Sequence, residues 1–173
     1  SLINSATMLS PFLMGITVAV LVGCALTLPI SSVAICVMLG IDGLAAGAAT
    51  VGCCAQMIGF AVVSYKDNGI GGLISQGLGT SMLQIGNIVR HPRIWIAPTL
   101  TAAILGPIST MVFGMTNNAL GAGMGTSGLV GPIATYAAMT ELGAEPGIII
   151  FKILILIIPV VFSKTECRSI DSH

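Results

Sequence analysis

The sequence predicts an all-α integral membrane protein, with about four full transmembrane helices and two glycine-broken segments that re-enter the membrane. Three observations carry that expectation. Of 173 residues, 55% are hydrophobic and only 7% are charged, whereas soluble domains carry about 25% charged residues. The apolar residues gather into runs of membrane-crossing length, since a hydrocarbon core of roughly 30 Å takes about 20 helical residues. Between the runs lie polar islands rich in glycine, which costs about 1 kcal/mol relative to alanine inside a helix.

The first run, PFLMGITVAVLVGCALTLP from Pro11 to Pro29, is bounded by prolines. A short helix over Ser31 to Gly40 is expected to follow. The second span runs from Gly43 to Tyr65, where Gly43 and Gly47 form a G-x-x-x-G pair that Ala48 and Gly52 continue. Without side chains in the way, another helix can approach this face closely, so it reads as a packing seam. The third span, Ile94 to Met115, holds Pro98 and Pro107; the fourth, Gly147 to Phe162, is short and carries Lys152.

Basic residues set the orientation. Lys66, Arg90 and Arg93 lie between the second and third spans, and Lys164 and Arg168 follow the fourth. The other connections carry Asp42, Glu141 and Glu145 but no Lys or Arg. The positive-inside bias therefore makes the 66–93 connection and both termini cytoplasmic. Tyr65 and Trp95 flank that connection as interfacial aromatics do.

Two stretches are neither spans nor ordinary loops. In Asn68 to Val89, the apolar Ile70, Leu73, Ile74, Leu78, Met82, Ile85 and Val89 recur at helical spacing, opposite Ser75, Gln76, Thr80, Gln84 and Asn87. This is either an amphipathic helix lying on the membrane or the lining of a wet cavity. A polar face without Lys or Arg is unusual for the first. The second island, TNNALGAGMGTSGLVGPIATYAAM, has glycine at 121, 123, 125, 128 and 131. Irregular backbone at membrane depth is tolerated only when buried in protein or lining a cavity. GLGTSML (Gly77 to Leu83) and GMGTSGL (Gly123 to Leu129) also share the pattern G-x-G-T-S-x-L. If the islands enter from opposite faces, they meet near the midplane, where transporters bind substrate between inverted elements. The candidate substrate-binding residues are Thr80, Ser81, Gln84, Asn117, Asn118, Gly123, Gly125, Thr126 and Ser127. They offer amides, hydroxyls and bare backbone, the chemistry for a neutral, hydroxyl-rich ligand.

Much else is excluded or bland. Net charge is zero, so no basic footprint for nucleic acid exists. There is no P-loop, H-E-x-x-H or G-x-S-x-G motif, so no catalytic residue of its own, cofactor or metal site is expected. Cys24, Cys36, Cys53, Cys54 and Cys167 form no C-x-x-C pair and read as packing residues. His91, between Arg90 and Arg93, reads as a headgroup or partner contact. Gln56 reads as a bond across helices, and Glu141 as a solvated loop carboxylate.

Three runs, LTLPISSVAICVMLGIDGLAAGAATVGCCAQMIGFAV, GLGTSMLQIGNIVRHPRIWIAPTL and NNALGAGMGTSGLVG, closely resemble the membrane IIC-type family of the bacterial sugar phosphotransferase system that includes the perfringolysin O regulator. The resemblance covers about Ser10 to Ala138. It implies a permease-like subunit of the bacterial cell membrane that binds a sugar for phosphorylation by a separate cytoplasmic IIB component. It also implies that residues 1–163 form the C-terminal half of a longer membrane domain, and that 164–173 form a short cytoplasmic tail unlike the family's longer basic one. Four spans bury little of such a seam and polar face, so a homo-oligomer is expected. The alternative to a permease is a non-transporting membrane regulator that docks a soluble partner through the 66–93 connection.

Overall fold

The computed structural model describes residues 10–143 and 145. Among these the chain is helical: α1 (Pro11–Thr27), α2 (Ser32–Met38), α3 (Gly43–Ile74), α4 (Ile85–Arg90), α5 (Ile96–Met111), α6 (Ala119–Met124) and α7 (Val130–Glu141). Their only β pairing among the described residues is one antiparallel bridge between Gly43 and Asn117. Among the described residues, two segments are long and apolar enough to cross a membrane: Gly43–Tyr65, with 23 residues, and Pro92–Met111, with 20. The apolar α1 has 17 residues, roughly 26 Å at 1.5 Å per residue. The expected fourth span, from Gly147, lies outside the described residues.

The span within α3, Gly43–Tyr65, is the central element. Ala45, Ala46, Ala48, Ala49 and Cys53 are buried against Val18 and Val22 of α1, Cys36 of α2 and Ala122 of α6. Small residues set these distances. A Cβ on Gly52 would strike the carbonyl of Ala19, and one on Gly23 would lie 2.9 Å from the carbonyl oxygen of Gly52. Between α1 and α5, Gly15 and Gly106 face each other in the same way. Between α3 and α5, Gly59 lies against the ring of Pro98. Backbones this close gain dispersion contacts that larger residues would prevent, which is how helices associate where lipid removes the hydrophobic drive.

Three expectations change in detail. The G-x-x-x-G face does not serve one helix: Gly52 meets α1, but Gly47 meets the backbone of Met115 and Gly43 pairs with Asn117. Its upper half is thus covered by the irregular chain after α5. That helix stops at Met111 and does not reach Met115. Past Pro107, the carbonyl of Ile108 takes both the Val112 and Phe113 amides, at 3.0 and 3.3 Å, and Gly114 turns with φ 51°.

The third change concerns Asn68 to Val89, which is not one continuous helix. Gly69 interrupts α3 with φ 58° and ψ −146°, a region open essentially to glycine alone. Gly72 then lies against Ser64 and Asn68, and Gly77 against Ala61, so the chain doubles back along the helix it has just left. A π-turn over Ser75–Gly79, an extended Thr80 and a 3-10 turn over Ser81–Gln84 lead into α4. The apolar periodicity survives as exposure: Ile70, Ile74, Leu78, Met82 and Val89 face outward, while Gln76, Ser81 and Gln84 are buried. A helix lying on a membrane would turn those amides and that hydroxyl to water instead of packing them against protein.

Candidate functional site

The span of α3 serves as a ruler for the two broken segments. The second island starts at its N-terminal end, where Asn117 pairs with Gly43. It descends past Thr50, which Asn117 and Gly131 both approach, to Cys53, against which Gly125 packs. Thr126 then reaches Met57, with Oγ1 3.5 Å from Sδ. The first island comes from the opposite end: Gly72 lies at Ser64 and Gly77 at Ala61. They meet in between, where the Thr126 hydroxyl donates to the carbonyl of Gly77 at 2.6 Å. The junction lies three to seven residues beyond Cys54, near the middle of the span, or roughly 5–10 Å toward its basic end.

The backbone breaks make that meeting possible. Gly125 has φ 56° and ψ −129° as α6 ends, and its close approach to Cys53 leaves no room for a side chain. Gly128 (φ 54°) and Leu129 (φ 60°) follow. A left-handed leucine costs roughly 1–2 kcal/mol, so the surrounding packing holds this turn. The Gly131 amide closes it on the Gly125 carbonyl at 2.9 Å.

The nine candidate residues fall into different roles. Thr126 makes the junction. Ser81 is fully buried, 3.4 Å from the hydroxyl of Thr27 on α1. Thr80 is half-buried and caps the 3-10 turn by accepting from the Met82 amide. Ser127 is half-buried in the turn after Gly125. Gly123 packs on Val33, and its carbonyl accepts from Ser32 at 2.7 Å. Asn118 caps α6 by accepting from the Gly121 amide. Asn117 is buried and committed to the protein: its Nδ2 donates to Thr50 and Thr135, at 2.7 and 3.0 Å, and its Oδ1 accepts from the Asn118 amide. These two asparagines therefore build the frame of the second island, and the structure does not bring them to the junction.

Gln84 instead lines a cavity of about 470 Å³ beside the junction, with Ser64, Asn68, Ser75, Gln76 and Asn87. Ser75, Gln76 and Asn87 stand on the polar face read from the sequence. Ser64 and Asn68 were missed because they sit in and just after an apolar span; their i, i+4 spacing was the available signal. Elsewhere, Gln56 bonds across helices as its sequence reading holds, donating to Thr99 at 3.1 Å. His91, Arg93 and Glu141 are exposed.

No curated protein and no solved structure matches this chain. A family model does: phosphotransferase system, EIIC, over residues 1–167. Two helices of membrane-crossing length and two broken segments meeting in an uncharged interior accord with that match, and the chain belongs to the EIIC family of phosphotransferase-system membrane components.

Proposed function

We propose that the chain is the membrane-embedded permease subunit of a phosphoenolpyruvate-dependent sugar phosphotransferase system, binding a neutral sugar beside the junction of its two broken segments. The observation that carries this reading is the Thr126–Gly77 hydrogen bond, which joins segments arriving from opposite ends of one span. Irregular backbone of this kind supplies peptide groups to a ligand without burying an ion. Thr80, Ser81, Gln84, Gly123, Gly125, Thr126 and Ser127 supply the wall, and Asn117 and Asn118 hold it in place.

The chemistry is divided between subunits. This chain binds and orients the sugar hydroxyls, while the phosphoryl group comes from a cytoplasmic IIB partner docking at the exposed Arg90–Arg93 turn. Four spans, cytoplasmic termini, a plasma-membrane location and self-association complete the proposal. Reconstitution into vesicles with phosphoenolpyruvate, the general phosphotransferase proteins and candidate IIB partners tests it. Phosphorylated sugar should accumulate on the IIB side. Partner binding without phosphorylated sugar would support the regulator instead.

A further inference from the structure

A groove of about 400 Å³ runs along the basic end of α5, walled by Pro92, Trp95, Ile96, Leu100 and Ala103, with Cys24 of α1 opposite. These α5 positions stand three to four residues apart, so they form one stripe, roughly 18 Å long at helical rise. The groove is shut at its far end. Gly106 lies against Gly15 and Ala19 of α1, so α1 and α5 meet just beyond Ala103. The wall offers little to a sugar. Thr99 Oγ1 donates to the Trp95 carbonyl at 2.7 Å and accepts from Gln56 at 3.1 Å. Trp95 Nε1 is buried out of reach, which leaves the weak thiol donor of Cys24 in an apolar slot. The near end is basic: Arg90, His91 and Arg93 are all exposed. In the 3-10 turn over Pro92–Trp95, residues three apart nearly eclipse, which sets Arg93 in line with Ile96 at the mouth.

These features select an occupant. A spanning helix from a second copy would need a stripe that crosses the whole core, roughly 30 Å. This groove stops near half that depth, the reach of one lipid leaflet. We infer that it holds an acyl chain of an anionic phospholipid, whose phosphate lies between Arg90 and Arg93. Burial of the chain in the slot and attraction of the phosphate to the arginines act together. The lipid takes the membrane edge of this turn and leaves its water side to the IIB partner. None of the wall residues belongs to the junction of the broken segments, so the site goes beyond the permease reading.

Trp95 is the sole tryptophan of the 173 residues and lines the groove, so its fluorescence reports occupancy. The test titrates the full chain in mild detergent with phosphatidylglycerol or phosphatidylcholine whose acyl chains carry bromine, a contact quencher of tryptophan. Phosphatidylglycerol should quench with about five-fold or greater preference. The double variant Arg90→Gln, Arg93→Gln should bring that ratio close to one while both lipids still quench. Leu100→Gln, at an exposed position, puts an amide in the slot and should weaken both lipids by about three-fold or more. Glycerol phosphate, which has the anion and no chain, should not displace brominated phosphatidylglycerol. Equal quenching by the two lipids, or a preference that survives the double variant, overturns the inference. Binding unchanged by Leu100→Gln places the lipid elsewhere and also overturns it, as does displacement by glycerol phosphate. Absence of quenching by either lipid shows that protein covers the groove, and the inference falls. Sugar phosphorylation is no part of this readout, so none of these outcomes decides the permease reading.

Discussion

Asn117 shows how one side chain can determine a loop. Its amide joins Thr50 of α3 to Thr135 of α7, and its carbonyl takes the amide of Asn118. Because all these groups are buried, Asn117→Ala should cost about 1–3 kcal/mol, seen as a lower melting temperature in detergent. Asn117→Asp should be worse, since a carboxylate there would bury a charge facing hydroxyls that already donate to carbonyls. Gly52 acts through what it lacks. Its Cα faces the backbone of Ala19, so Gly52→Val should destabilise by about 1–3 kcal/mol or block assembly altogether. Thr126→Val keeps the shape but removes the donor to the Gly77 carbonyl; a loss of about 0.5–1.5 kcal/mol is expected. Transport should respond more than stability if the two segments must hold together to bind substrate.

At the scale of elements, the reversal at Gly69 decides where the polar residues go. Had α3 continued straight, Ser75, Gln76 and Gln84 would have left the bundle. Doubling back brings Gln76 and Gln84 inside and leaves Ile70, Ile74 and Leu78 facing outward. Nothing crowds Gly69, so its constraint is conformational. Gly69→Ala should destabilise by about 1–3 kcal/mol although a methyl group would fit. Orientation is tested on the same elements. In a chain lacking reactive native thiols, a cysteine at the exposed His91 should react with an impermeant reagent only after the membrane is opened, and one at the exposed Thr140 in intact cells. The opposite pattern would invert the topology.

At the scale of the molecule, the exposed apolar side chains matter most. Phe12, Leu13 and Leu21 of α1, Ile96 and Ile104 of α5, and Ile133 of α7 all face outward. Lipid satisfies some of this surface. The exposed neutral polar groups near it, Asn68, Ser75 and Asn87, are better satisfied by protein than by lipid. The isolated chain in mild detergent should therefore run as an oligomer in light scattering coupled to gel filtration, and a stable, monodisperse monomer would count against it. From the sequence alone, composition determined the membrane class, and prolines and capping residues determined where α1, α2 and the span of α3 begin, because hydropathy and caps act over a few neighbouring residues. The same local logic made the two glycine islands visible as breaks and marked the 68–89 polar face as uncharged. Only the tertiary structure decided which broken residue touches which. Thr126 reaches Gly77 across 49 positions, Asn117 turns into the frame, and Ser64 and Asn68 join Gln76 around one cavity. Those choices depend on the reversal at Gly69 and on how closely α1 and α5 approach α3, and close packing of distant segments leaves no periodic trace in the sequence that produces it.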